Sequence, residues 1–228
     1  MKMIHLHGKR IALAAAVAAA LTMGTIYAAG AASLDADTVE YDMSSGEITA
    51  TGNVLMKQDG SRIAGAQATY NTKTQQGRVT GGVIAEKDDM RLNCQELVVD
   101  GQDHYIASGY VSGSQGDKSF SGAQVDYYPS QKYVTMASGG TLTSSEGTFT
   151  ADSLQGWLGE QHYQGTGNAH IVSPPRDLEA GGDQFDYYGQ GDGRAILTGN
   201  AWAVQDNNTM HSGKLTIYLA SDGKAKVQ

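Results

Sequence analysis

The chain has 228 residues, with 30 Gly and only 3 Pro, and its formal net charge at neutral pH is −8. A chain this acidic lacks the basic face that wraps nucleic acid or holds an anionic membrane surface by charge. A lone cysteine excludes an internal disulfide framework, and abundant glycine with little proline favours turns and kinks over long helices.

The N-terminus has the pattern of an export signal. Basic residues precede an apolar run over residues 11–27, and small residues follow it, including Ala29-Gly30-Ala31. This pattern predicts a cleaved secretory signal peptide over residues 1–31. An uncleaved anchor remains the alternative, although the run is short and rich in alanine for a membrane span. Residues 32–228 are then expected to form one domain.

The rest of the chain repeats one pattern. In its first unit, residues 34–56, two stretches of alternating apolar and polar residues flank the polar turn at residues 43–46, which predicts a β-hairpin. One apolar position recurs at steps of 29, 29, 28, 29, 31 and 30 residues, as Val39, Ala68, Leu97, Val125, Leu154, Phe185 and Leu215. A fixed period of this length indicates a stacked array in which each unit buries its apolar face on its neighbours.

Three further columns accompany this position. The residue two places later is usually tyrosine, and the residue three places earlier is always small, as in Ala36, Gly65 and Cys94. The residue five places earlier is Leu34, Ile63, Leu92, Phe120, Phe149, Ala180 or Met210. On a flat strand, the columns of Leu34 and Ala36 would point to one face, and the columns of Val39 and Tyr41 would point to the other. We expect all four to face inward, with a bulge or corner between the pairs that resets the alternation.

The turns indicate how each unit is built. Every unit has polar turn residues at both ends, which implies two antiparallel strands per repeat rather than the single coil of a parallel β-helix. The predicted fold class is therefore all-β, with about 13 or 14 strands in seven repeats of about 29 residues.

No constellation of catalytic or metal-ligating residues is recognised. The histidines after the signal, at positions 104, 162, 170 and 211, lack metal-ligand spacing, and no G-x-S-x-G sequence occurs. Cys94 belongs to the small column and has no basic neighbour in sequence, so we interpret it as a buried residue rather than a reactive thiol. We predict no catalytic residue, no metal, no cofactor and no enzymatic activity.

Two groups of residues have both a functional and a structural interpretation. Asp37 and Asp152 follow the small column and could act as catalytic carboxylates, although supporting the corner backbone is the simpler role. The aromatic pairs Tyr127-Tyr128 and Tyr187-Tyr188, together with Trp202, could stack on sugars, although cross-strand pairing is the simpler role.

The opening of the first unit carries a family resemblance. Leu34–Asp42, followed by Gly52-Asn53-Val54, resembles the OstA-like family, whose type member is LptA. Weaker echoes stand at Gly81-Gly82-Val83, Gly167-Asn168-Ala169 and Gly199-Asn200-Ala201, so the resemblance covers the whole mature chain. It implies a V-shaped, twisted antiparallel jelly roll, open at both ends, located in the periplasm.

The resemblance also implies a function and partners. It implies a carrier or bridge that moves lipopolysaccharide from the inner to the outer membrane, with the acyl chains of lipid A in an apolar groove. The implied partners are LptC-like inner-membrane and LptD-like outer-membrane proteins, with head-to-tail self-association through edge strands near residues 34–42 and 215–219. The expected groove lining is Val39, Ile48, Val54, Met56, Ile63, Leu92, Leu97, Phe120, Val125, Phe149, Leu154, Phe185 and Leu215.

Two other classes of function compete with the carrier. One is a structural or adhesive secreted repeat protein whose interior is fully packed. The other is an enzyme such as a β-helical polysaccharide lyase, which the missing catalytic cluster and the two turns per repeat disfavour.

Overall fold

A computed structural model describes residues 33–58, 60–101, 103–145, 147–189, 193–219 and 225–227, so the predicted signal peptide lies outside the described residues. Seventeen strands form one sheet, and all their pairings are antiparallel. The strands are β1 Ser33–Asp35, β2 Thr38–Asp42, β3 Glu47–Gln58, β4 Ser61–Asn71, β5 Gln76–Lys87, β6 Met90–Val99, β7 Tyr105–Gln115, β8 Lys118–Tyr128, β9 Tyr133–Met136, β10 Gly140–Ser144, β11 Gly147–Ala151, β12 Ser153–Trp157, β13 His162–Ser173, β14 Leu178–Tyr188, β15 Arg194–Gln205, β16 Asn208–Leu219 and β17 Ala225–Val227. A 3-10 turn, Pro174–Arg176, joins β13 to β14.

A row means here one full-width strand position of the sheet, and some rows are made of two short strands placed end to end. β1 and β2 both pair with β3, β9 and β10 both pair with β8, and β11 and β12 both pair with β13. Counting each broken pair as one row leaves about fourteen rows in the described residues, each paired with the next row along the chain. The prediction of two antiparallel strands per repeat is therefore confirmed.

A line of bulges divides the sheet into two halves. The bulges lie on the second strand of each repeat, called here the returning strand. Examples are Gly52-Asn53 in β3 and Gly167-Asn168 in β13, and both residues of each pair have positive φ. On an outgoing strand, the first strand of a repeat, buried Cys94 and buried Leu97 stand three positions apart across this corner, whereas buried Val79 and Val83 on a returning strand stand four positions apart. Each strand thereby keeps its apolar side chains inward on both sides of the corner, as the column pattern predicted.

Aspartate and asparagine side chains stabilise three of the corners. The Asn53 amide donates to both carboxylate oxygens of Asp37 at 3.1 and 3.0 Å, and the Asn168 amide donates to Asp152 at 2.7 Å. The Asp152 backbone N–H also donates to the Gly167 carbonyl at 2.8 Å. Asparagine tolerates the left-handed conformation better than most residues, so the same side chain suits the backbone and supplies the hydrogen bond. Asp37 and Asp152 therefore hold the corner, as the simpler interpretation predicted.

The core lies between the two halves. Phe149 of one half meets Phe185 and Tyr187 of the other, with ring centroids 5.7 and 5.3 Å apart. Large rings lie beside glycines of the adjacent strand, and a Cβ at Gly113 or Gly165 would collide with the ring of Phe120 or Phe185 respectively. The glycine content thus serves interior packing as well as turns.

The first and last rows depart from the column prediction. Val39 and Tyr41 are 48% and 53% exposed, since the row that they occupy pairs with β3 alone. At the other end, β17 pairs with Ile217, Tyr218 and Leu219. The predicted free edge near residues 215–219 is therefore largely wrong: β17 covers its end, and residues 208–216, the first three quarters of β16, are the part that no further described strand pairs with.

Candidate functional site

The candidate site is the apolar interior between the two halves. Eleven of the thirteen predicted lining residues are at most 6% exposed and belong to one apolar cluster: Val54, Met56, Ile63, Leu92, Leu97, Phe120, Val125, Phe149, Leu154, Phe185 and Leu215. Ile48 is half-buried and Val39 is exposed. The structure thus brings the predicted residues together, but it packs most of them against one another.

The interior opens at its N-terminal end. A cavity of about 30 Å³ lies there, with Leu34, Met56 and Ile63 on the wall from one half and Ile48 and Val79 on the wall from the other. A volume of 30 Å³ is about the share of one water molecule in the liquid. An acyl chain can enter this space only if the two halves separate.

A second, smaller cavity lies near the middle of the array. Its volume is about 10 Å³, and its walls include Val134, Leu142, Leu154 and Tyr163. Here β9 and β10 are separate half-strands, with residues 137–139 between them. The interior is therefore closely packed beyond its mouth.

A row of tyrosines lines one margin of the interior. Tyr105 pairs with Tyr127 and Tyr163 pairs with Tyr187 in neighbouring strands, and all four are at most 5% exposed. Burial, with a smaller contribution from the charge of Asp103, raises the pKa of the Tyr105 and Tyr127 hydroxyls. These hydroxyls therefore stay neutral at the margin of the apolar cluster.

The repeat columns did not include several lining residues on the returning strands. The columns were identified on outgoing strands, so Tyr105, Tyr163, Val79 and Ala107 on returning strands were not singled out. Their signal is present in the sequence: on a returning strand, buried residues stand four apart across each corner, as Val79 and Val83 do. That spacing differs from the three-residue step of the outgoing strands.

Cys94 and two of the histidines occupy structural positions. Cys94 is 4% exposed, and burial raises its pKa to about 11, so it is a buried structural residue as predicted. His104 bonds to Asp126 and His162 to Asp186, at 2.9 and 3.0 Å, on the outer surface. Across the described ranges, no group of three or more His, Cys, Asp or Glu residues could hold a metal ion. None of the helical segments in the described part of the chain is long and apolar enough to cross a membrane.

Comparison with known proteins identifies relatives of this arrangement. The family described as "LptA/(LptD N-terminal domain) LPS transport protein" matches residues 33–223. No curated protein matches the chain significantly. Among solved structures, the chain is similar to LptH from Pseudomonas aeruginosa, the LptA homologous periplasmic component of its lipopolysaccharide transport device. The identity is 14%, the match covers 62% of this chain and 93% of that chain, and the TM-score is 0.34.

Proposed function

The chain belongs to the family of LptA and LptD N-terminal-domain lipopolysaccharide transport proteins, and from that premise we propose that it carries lipopolysaccharide across the periplasm. In this proposal the acyl chains of lipid A lie between the two halves of the sheet. The predicted signal peptide at residues 1–31 exports the chain, and residues 32–228 form the carrier domain. N-terminal sequencing of the protein recovered from the periplasm tests this division.

One observation carries the proposal: the two halves meet through side chains alone. Each strand pairing joins neighbouring rows along the sheet, and no pairing among the described strands crosses the interior. Separating the halves therefore breaks no backbone ladder. It exposes apolar side chains such as Phe149 and Phe185, at a cost of about 1.5–3 kcal/mol for each one fully exposed.

An inserted acyl chain offsets this cost. Burying a methylene group contributes about 0.8 kcal/mol, so an acyl chain between the halves replaces lost apolar contact with new apolar contact. The N-terminal mouth is where this exchange starts, since Val39 and Tyr41 are already exposed there. An acyl chain that enters at the mouth and separates the two halves row by row can be taken up although the empty interior is closely packed.

Photocrosslinking tests the location of the cargo. A photoreactive amino acid at Ile48 or Leu154 faces the interior, and one at the next residue, Thr49 or Gln155, faces outward on the same strand. We expect crosslinks to lipopolysaccharide from the inward positions and background levels from the outward controls. Equal crosslinking from both faces in folded protein would contradict the proposal.

The alternative, a structural repeat protein with a filled interior, is favoured by one observation. The cavities described above are too small for an acyl chain. This alternative predicts background crosslinking from the inward positions even when lipopolysaccharide is abundant, so the same experiment separates the two functions.

The free edges of the sheet support a proposal about partners. On one side, the β1–β2 row and residues 208–216 of β16 pair with no other described strand, so another strand can add there. We propose that LptC-like and LptD-like proteins, or further copies of this chain, join there. Gly213 is a suitable crosslinker position, since an added Cβ would meet no atom within 4 Å. Crosslinks from position 213 that equal those from Ser121 on the internal strand β8 would argue against edge assembly.

A further inference from the structure

The outer face of one half carries an ordered array of hydroxyl groups, called here the hydroxyl lane. It comprises Ser112 and Ser114 of β7, Ser119 and Ser121 of β8, Thr141 and Thr143 of β10, and Thr148 and Thr150 of β11. Backbone register aligns these residues in two lines of four, one through Ser112, Ser121, Thr141 and Thr150 and the other through the remaining four. The residues between them along each strand, such as Leu142 and Phe149, are buried in the core, so the eight hydroxyl side chains face outward.

The hydroxyl lane is uncharged, although the chain as a whole carries a net charge of −8. Part of it forms a groove of about 290 Å³, bounded at one end by Asn93. Neighbouring strands beneath a line are about 4.8 Å apart, and the two lines are about 6.7 Å apart. Thr143 Oγ1 and Thr148 Oγ1 are 3.3 Å apart and share a hydrogen bond. Each hydroxyl can donate and accept a hydrogen bond, which suits a neutral ligand that is itself rich in hydroxyls. The strands beneath are paired on both sides, so an added peptide strand is not the occupant that this face fits.

Trp202 extends this face across β13 and β14. A Cβ on Gly181 of the neighbouring strand would stand 2.8 Å from the indole Nε1 and 3.0 Å from Cε2, so the indole lies over Gly181 against the sheet. His170 lies alongside, with ring centroids 5.8 Å apart, and its Nε2 is 2.9 Å from Glu179 Oε1. The electron-rich face of an indole on the outer surface attracts the partially positive C–H groups of a sugar ring.

Other aromatic residues on the outer surface lack this geometry. His104 stacks on Tyr128 and His162 stacks on Tyr188, with interplanar angles of 7° and 2°. Each ring of such a pair covers one face of the other, so these residues form a cross-strand ladder. Among these outward rings, Trp202 is the one in register with the hydroxyl lane, through His170 and Gly181.

We propose that the face from the hydroxyl lane to Trp202 binds the saccharide portion of lipopolysaccharide. The inference rests on the proposed function, since it assigns a second part of the same cargo to a second surface. From β7 to β15 the face spans six row spacings, about 29 Å along the sheet, which accommodates an oligosaccharide of several sugars. The acyl chains lie inside the sheet and the sugars lie along its outside.

Titration calorimetry of the whole mature protein tests the inference. The probe is the polysaccharide that mild acid releases from smooth-type lipopolysaccharide, which contains no lipid A. We expect Trp202→Ala to weaken its binding tenfold or more. The matched control is Tyr110→Ala, which removes an aromatic side chain that is 90% exposed in the corner of β7, six rows away from Trp202. The control should leave the affinity within twofold.

A second variant guards against misfolding. Thr141→Val with Thr143→Val removes two hydroxyls of the lane while conserving side-chain volume, and it should weaken binding at least threefold with an unchanged unfolding midpoint. Wild-type affinity in this variant, or in folded Trp202→Ala, would overturn the inference. A parallel titration with lipid A separates the two proposals. Binding of lipid A without the polysaccharide would overturn this inference alone, and binding of the polysaccharide without lipid A would overturn the proposed function alone.

Discussion

The contact between Phe185 and Gly165 allows a quantitative test of interior packing. Phe185 is fully buried, and three of its ring atoms lie where a Cβ on Gly165 would be placed. Phe185→Ala removes the ring and its contact with Phe149, so we expect a loss of about 3–5 kcal/mol in the free energy of unfolding. Gly165→Ala places a methyl group against the ring, and overpacking of this kind costs about 1–3 kcal/mol.

The double variant is the informative member of the cycle. With Phe185 truncated, the methyl group of the Gly165→Ala substitution enters vacated space, so the two losses should not add. We expect the double variant to be at least about 1 kcal/mol more stable than the sum of the single losses predicts, a coupling typical of residues in contact. Urea unfolding followed by circular dichroism measures all four proteins. Gly213→Ala is the control, since nothing stands near its added Cβ, and it should change the unfolding free energy by less than about 0.5 kcal/mol.

Additive losses would refute the reasoning. If the double variant loses the sum of the two single values within about 0.5 kcal/mol, the ring of Phe185 does not occupy the space above Gly165. The side chains between the two halves would then be more loosely packed, and the interior of the empty carrier would not be closed.

Two further predictions concern the corners and the buried thiol. Asn168→Ala should cost about 2 kcal/mol of unfolding free energy, because it loses both the bond to Asp152 and the tolerance for φ of 46°. Asn168→Gly should cost about half as much; equal losses in urea unfolding would show that backbone strain contributes nothing. Burial raises the pKa of Cys94 from 9.0 to about 11, so the folded state holds this proton more tightly than the unfolded state does. Its stabilising contribution is complete below pH 9 and is lost as the pH rises toward 11, so the unfolding free energy of the wild type should fall more steeply over that range than that of Cys94→Ala, and parallel curves would contradict the assignment.

Much of the fold was predictable because its signals are local in sequence. The repeat of about 29 residues, the turns at both ends of each unit and the alternation of apolar residues depend on near neighbours in the chain. They predicted the antiparallel rows and the corner between Cys94 and Leu97. The family resemblance came from Leu34–Asp42 with Gly52-Asn53-Val54 downstream. The structure explains the Gly-Asn pair, since both residues take positive φ and the asparagine bonds to Asp37.

Most of the predicted lining residues do face inward, but the repeat pattern did not predict which of them are exposed at the end of the array. Eleven of the thirteen proposed residues are buried in one interior, whereas Val39 is exposed because no row covers it. Burial at the end of an array depends on whether a neighbour is present, and a repeat pattern treats every unit alike. That these residues contact lipid remains a prediction.

The sequence by itself determined the strands, the turns, the corners and which side chains face inward, since each depends on residues close together in the chain. The tertiary structure alone decided how tightly the halves close, because that depends on contacts such as Phe149 with Phe185, which belong to different repeats. It also decided that Trp202 lies over Gly181 and that four strands align their hydroxyls into the lane. Register places residues from distant parts of the chain side by side, and no local pattern specifies the surface that they form together.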